Sequence, residues 1–208
     1  MTKSFKLIGI LSTTMFLVIW GCVSYGHMAS FDTDISGAFY NIRSAGLTSL
    51  MQIITYIGNW QGVVIILMLL LIYPETRYKY GIFAFSSVVI AQIVKTLIKE
   101  FVKRPRPAES LHLIVQHGYS FPSGHAITAM ALFGTLFILL NNKDTVYSKR
   151  IFLMTVTAMM PILIGISRIY LGVHYPSDVL AGWVGGIATV CMSILLVNAW
   201  SKRREKHE

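Results

Sequence analysis

The chain has 208 residues, 54% hydrophobic and only 13% charged, which is too apolar for a soluble domain of that length. Uncharged runs recur at about the 20 residues that a bilayer crossing needs, so the chain reads as a membrane protein. Its formal net charge of +9 does not point to nucleic acid, because most of the basic residues sit at the ends of apolar runs, where orientation signals belong.

Residues 1–6 are basic, and no charge follows until Asp32. A cleaved signal peptide is the competing reading, since Ile19-Trp20-Gly21-Cys22 has the outline of a lipoprotein cleavage site. Trp20 is too large for the small residues such sites need, and a first span over 7–25 is expected. Residues 30–49 hold Asp32, Asp34 and Arg43 and read as a loop or interfacial helix outside the membrane. The uncharged run 46–73 is interrupted by Gly58-Asn59, which puts an interfacial piece ahead of a second span at 55–73.

A charged turn at 74–79 leads to a third span at 80–98, with Lys95 one helical turn before Lys99. The loop 100–120 carries Glu100, Lys103, Arg104, Arg106 and Glu109, with Pro105 and Pro107 between them. A loop of this length without structure of its own is often functional. A fourth span is expected at 122–140, a polar turn at 141–149, a fifth span at 150–170, a sixth at 177–200 and a solvated basic tail at 201–208. Cys22 and Cys191 lie inside apolar runs without metal or redox spacing and read as free thiols. The expected architecture is all-α: six transmembrane helices in a single membrane-embedded domain spanning 1–208.

Lys3, Lys6, Arg77, Lys79, Lys143, Lys149, Arg150, Lys202, Arg203, Arg204 and Lys206, eleven of the eighteen Lys and Arg residues, fall on one side of that layout. That side, with both termini, is expected to be cytoplasmic. The remaining seven are Arg43, Lys95, Lys99, Lys103, Arg104, Arg106 and Arg168, and their place on the outer side calls for a reason other than topology.

At about 1.5 Å per residue each span is one crossing, so Lys99, His125, Arg168, His174 and Asp178 should all arrive at the outer face. Ionisable groups at a membrane boundary are costly unless paired or wetted, and five delivered to one level mark a functional site. Lys99, Arg106 and Arg168 offer fixed positive charge and donors suited to phosphate oxygens. Pro122 reads as a first-turn proline with Ser120 as its cap, so that backbone N–H groups around Ser123 and Gly124 would face an anion. His174 and Asp178 are four apart, close enough for the carboxylate to fix the imidazole's tautomer. His125 is a second, separate imidazole.

Two histidines, one carboxylate and several cations suggest phosphoryl transfer by nucleophilic catalysis. One imidazole attacks phosphorus and the other protonates the leaving oxygen, while the cations stabilise the equatorial oxygens. Metal catalysis would want more carboxylates than Asp178, Glu100 and Glu109, so neither a metal nor another cofactor is expected. Taken singly, these stretches read as a juxtamembrane charge run, a helix start and a structural His–Asp pair. Their coincidence on one face favours function.

With these residues, the chain resembles the type 2 phosphatidic acid phosphatase superfamily of integral membrane lipid phosphatases. The three-part signature is matched by Lys99-x6-Arg106-Pro107, Pro122-Ser123-Gly124-His125 and Ser167-Arg168-x5-His174-x3-Asp178. The resemblance implies a metal-independent phosphatase with a six-helix core and its site at the outer leaflet. It implies His174 as the nucleophile forming a phosphohistidine, Asp178 as its orienting partner and His125 as the leaving-group acid. Lys99, Arg106, Arg168, Ser123 and the Gly124 amide would hold the phosphate. The expected partners are the bilayer and a lipid phosphate: undecaprenyl diphosphate, phosphatidylglycerol phosphate or phosphatidic acid, the first two favoured by likeness to small bacterial members. A lipid phosphotransferase and a catalytically silent lipid-binding or translocating protein are the alternatives. Lys103 and Arg104 lie outside the signature and read as attraction for a head group or as solvated charge; His112 and His117 read as surface residues within reach of one.

Overall fold

A computed structural model describes residues 2–140 and 147–204, all of the regular structure among them helical. The expected polar turn at 141–149 falls mostly outside that range, as does the end of the basic tail. Helix α1 (Thr2–Ser24) is uninterrupted because nothing after Lys6 breaks its apolar run. Leu7, Ile10 and Leu11 stay exposed along it, as expected where the neighbour is lipid. Helix α2 (Ala29–Asn41) lies in the stretch read as a loop or interfacial helix, and α3 (Ala45–Ile57) starts at Ser44, whose hydroxyl accepts from the Leu47 N–H at 3.4 Å.

The span expected at 55–73 is not continuous. It is broken at Gly58-Asn59 between α3 and α4 (Trp60–Ile72), whose axes are bent by 47°. The cause is packing: a Cβ on Gly58 would stand 2.7 Å from Ile164 Cγ2, so only glycine lets the next layer come this close. Asn59 then takes an extended conformation and starts α4 in a new direction.

A short turn at Pro74–Thr76 and a π-helical stretch at Arg77–Gly81 feed α5 (Ile82–Val102). The third span therefore runs beyond 98, carries Lys99 in its last turn, and stops at Lys103, which is left-handed with φ 48°. Helix α6 (Gly124–Leu140) follows the long loop, then α7 (Tyr147–Tyr170) and α8 (Pro176–Arg204). Four helical stretches are long and apolar enough to cross a membrane, and the bent α3–α4 pair makes a fifth; α6, with 17 residues, is shorter. The protein is thus a multi-pass membrane protein, with four to five spans identified by length and composition where six were expected.

Helices α6 and α8 form the centre: α6 packs on α5, α7 and α8, and α8 also packs on α1 and α5. Ala126, Ile127, Ala129, Ala131 and Leu132 of α6 are completely buried, the all-round apolar character of an inner helix. Val88 and Ala91 of α5, Val63 and Leu67 of α4 and Ile164 of α7 close the same core. The α6–α8 approach depends on glycine, since a Cβ on Gly182 would meet Ala126 Cβ at 2.8 Å and one on Gly186 would meet Met130 Cβ at 2.5 Å. The C-terminal ends of α5 and α7 and the N-terminal ends of α6 and α8 consequently meet at one end of the bundle.

Replacing Gly186 with Val forces these two helices apart. The thermal unfolding midpoint in detergent should fall, consistent with an overpacking cost of about 1–3 kcal/mol; an unchanged midpoint would contradict the packing described.

Candidate active site

At the end where these four helix termini meet lies a cavity of about 820 Å³. Lys99, Arg106, Gly124, His125, Arg168 and His174 all line it, together with Thr55, Asn59, Lys95, Gln116 and His117. Ser123 and Asp178 stand behind its wall, both fully buried. Each arrives for a local reason. Lys99 closes α5, and its ammonium donates to the Tyr119 carbonyl. Arg168 comes from the last turn of α7, where a cation also favours the helix dipole.

His174 lies in the loop 171–175, which Gly172 turns with φ 76°. Arg43 fastens that corner by donating from Nε and Nη2 to the Tyr170 carbonyl at 3.1 and 2.8 Å and from Nη2 to the Leu111 carbonyl at 2.9 Å.

The helix start at Gly124 differs from the expected one. Pro122 lies ahead of the helix after a cis bond from Phe121, and Ser123 occupies the cap position, its carbonyl accepting from the Ile127 N–H at 3.0 Å. The Ser123 N–H is not free for an anion, because it donates to the Asp178 carbonyl at 3.0 Å. The amides of Gly124, His125 and Ala126 are those left without an acceptor in the helix. Ser120 caps nothing; its hydroxyl donates to the Pro105 and Arg104 carbonyls at 2.9 and 3.3 Å. The Ser123 hydroxyl is buried without a hydrogen-bond partner.

His174 is held from both sides. Its Nδ1–H donates to Asp178 Oδ2 at 3.4 Å, while Arg106 Nη1 donates to its Nε2 at 3.1 Å. The second contact requires a lone pair on Nε2, so the two agree on one tautomer. Burial, and after it the charges of Arg106 and Arg168, push the His174 pKa well below the usual imidazole value. The ring is therefore neutral at physiological pH. Arg106 also donates to the carbonyls of His117, Gly118, Tyr119 and Val173 at 2.6–3.1 Å, tying the long loop to the His174 loop. Arg168 Nη1 donates to Thr55 Oγ1 at 2.9 Å and Nη2 to Gln116 Oε1, leaving Nε without a partner. His125 Nε2–H donates to Asn59 Oδ1 at 2.6 Å. A neutral nucleophilic nitrogen, a second imidazole and fixed cations around one cavity can carry out phosphoryl transfer.

Behind this layer is an ion-pair network that sequence reasoning missed. Arg104 Nη1 pairs with Asp178 Oδ1 at 2.6 Å and Nη2 with Asp32 Oδ2 at 2.7 Å. Asp32 in turn accepts from the Ser177 N–H at 2.8 Å and the Ser177 hydroxyl at 2.7 Å, and Arg104 lies over the Tyr175 ring at 4.3 Å. Arg104 is therefore neither solvated nor free to attract a head group. Asp32, read as an acid outside the membrane, is 3% exposed. Thr55, Asn59 and Gln116 were also missed. Only Asn59, a polar break in an uncharged run, left a signal that could have been used.

The PAP2 superfamily matches residues 80–202. The chain belongs to that family. It is accordingly a phosphoric ester hydrolase. It is 27% identical to phosphatidylglycerophosphatase B of Bacillus subtilis over 178 residues, 83% of this chain and 86% of that one. It is 32% identical to the undecaprenyl-diphosphatase of Sulfolobus acidocaldarius over 152 residues, 71% and 68% of the two chains. Its fold is similar to the crystal structure of a transmembrane PAP2-type phosphatidylglycerolphosphate phosphatase from Bacillus subtilis, with a TM-score of 0.78, 26% identity, and 94% and 96% of the chains covered.

Two outcomes follow from the geometry. Arg104→Ala leaves Asp32 and Asp178 buried without their counter-charge, which should destabilise the fold by about 3–5 kcal/mol, read as the shift in chemical unfolding in detergent. The second concerns acid. The unfolded chain protonates His174 below about pH 6.5 and the folded chain resists doing so, so the contribution is intact above that pH and is lost as pH falls. The loss reaches at most about 1.4 kcal/mol per pH unit for this group, and His174→Gln should flatten the acid-side fall of the unfolding midpoint by that share.

Proposed function

We propose that this PAP2 enzyme hydrolyses the phosphoryl group of a lipid phosphate or diphosphate through a phosphohistidine on His174, without a metal. The observation that carries the reading is the two-sided hold on His174, with Asp178 at Nδ1 and Arg106 at Nε2. Substrate phosphate takes over the Arg106 donor and frees the Nε2 lone pair, which attacks phosphorus. The bond from phosphorus to the leaving oxygen breaks as that oxygen takes a proton from His125, whose imidazolium form the charge of the bound phosphate favours. A water then gives a proton to the neutral His125 and attacks phosphorus, the P–N bond breaks, and inorganic phosphate departs.

Lys99, Arg106 and Arg168 stabilise the charge on the phosphoryl oxygens, with the Gly124 amide as a further donor. Asp178 acts by orienting His174. Histidine chemistry is favoured because no three His, Cys, Asp or Glu side chains converge as a metal site among the described residues.

The names of the relatives support lipid phosphates as the substrate class, with phosphatidylglycerol phosphate and undecaprenyl diphosphate ahead of phosphatidic acid. We take the bundle to cross the membrane six times, counting the bent α3–α4 pair once and α6 as a short inner crossing. The excess of Lys and Arg on the side of both termini supports a site at the extracytoplasmic face.

The test is phosphate release by the purified protein in detergent, with chelator present, from those three lipids. Release by the wild type and none by a folded His174→Ala variant is the expected outcome. A requirement for a divalent metal, or ordinary turnover in the variant, would overturn the mechanism.

A further inference from the structure

The cavity holds more positive charge than one phosphoryl group needs. Lys95, Lys99, Arg106 and Arg168 line it, and Glu100 is the one carboxylate lining it. A phosphomonoester carries about two negative charges at most near neutral pH. The three signature cations are enough to surround such a group, which leaves Lys95 over.

The position of Lys95 is specific. It lies one turn before Lys99 on the same face of α5, about 6 Å further from the helix end that bears Lys99. Its ammonium rests against the start of α6: a Cβ on Gly124 would stand 3.7 Å from Lys95 Nζ. That puts a cation beside the first residue of α6, so that a positive side chain and a helix N-terminus, two features that favour an anion, lie at the same place. Lys95 is half-buried, and among the described residues it has no ion-pair or hydrogen-bond partner. A cation held within a membrane helix bundle without a partner is costly. Asp32 and Asp178 are both taken by Arg104, and among the described residues Glu100, the carboxylate that lines the cavity, forms no ion pair with Lys95.

We propose that Lys95, at the start of α6, forms a subsite for a second phosphoryl group next to the scissile one. The proposal rests on the phosphatase reading and narrows its substrate class to lipids bearing two phosphoryl groups. The terminal group sits against His174, and the inner, lipid-linked group lies on the Lys95 side, next to His125. Two lipid chemistries share this feature: a diphosphate ester, in which the inner group is the leaving phosphate, and a phosphomonoester joined through glycerol to a phosphodiester.

The experiment compares wild type, Lys95→Met and Lys95→Arg on undecaprenyl diphosphate, phosphatidylglycerol phosphate and phosphatidic acid. For at least one of the doubly phosphorylated lipids, kcat/KM should fall in Lys95→Met about tenfold more than for phosphatidic acid, the effect of one hydrogen bond to a charged group. Lys95→Arg should recover most of the loss. A fall confined to the diphosphate identifies the anhydride, and one confined to phosphatidylglycerol phosphate identifies the phosphodiester. An equal fall on all three lipids, or no change on any, overturns the subsite. A second measurement needs no turnover: methylenediphosphonate should raise the unfolding midpoint of the wild type more than methylphosphonate does, and Lys95→Met should abolish the difference. If that preference is present and Lys95-dependent while no lipid is hydrolysed, the subsite stands and the hydrolase reading fails. If the two phosphonates act alike on the wild type, the subsite fails whatever the turnover.

Discussion

A fully buried carboxylate is the constraint on which this structure turns. Asp178 has no exposure to solvent, and an ionised carboxylate in such a place is retained only when its charge and lone pairs are met. Arg104 meets one oxygen; the Tyr175 N–H, at 3.0 Å, and the His174 ring meet the other. Because Arg104 spans two carboxylates, the same requirement fixes Asp32, and through it α2 and the start of α8. Four separate stretches are thereby anchored to one point: α2, the loop after α5, the loop before α8, and α8 itself. The nucleophilic nitrogen proposed for catalysis inherits its orientation from that anchor.

Much of this was legible in the chain. Helices α6, α7 and α8 begin and end close to the runs at 122–140, 150–170 and 177–200, because charged or polar residues bound each apolar run and a bilayer sets its length. That length explains why Lys99, His125, Arg168 and His174 line a single cavity: spans of one crossing deliver alternate ends to the same level. What the chain did not disclose were pairings without periodicity. Asp32 and Arg104 are joined across 72 positions, and nothing local to either marks the other. Ser120 looked like a helix cap because of its distance from Pro122, but the backbone at Phe121-Pro122 turns it back towards Arg104. The bend at Gly58 was half visible as a break in the apolar run. Its direction was not, since it depends on how closely Ile164 approaches from α7.

That bend also serves the site. A straight helix through 55–73 would have carried Thr55 and Asn59 past the cavity on a single axis. The break instead leaves Thr55 at the end of α3, accepting from Arg168, and Asn59 at the start of α4, accepting from His125. An irregular backbone inside a bundle is tolerated where it lines a polar cavity and its freed groups find partners. Here the side chains flanking the break are the partners of two residues in the phosphatase signature.

The two buried acids near the site, Asp32 and Asp178, are both spent on Arg104, on the far side of His174 from the cavity. On the cavity side the cations are held by neutral groups: Lys99 by a carbonyl, Arg106 by four carbonyls and an imidazole, Arg168 by a hydroxyl and an amide. Neutral acceptors orient a guanidinium without cancelling its charge, so the field that faces the cavity stays positive. Segregating the two buried acids to one side of the histidine and unneutralised cations to the other turns the cost of burying those cations into attraction for an anion. Because the donors are already fixed in direction, little reorganisation is needed when a phosphoryl group displaces the contact between Arg106 and His174.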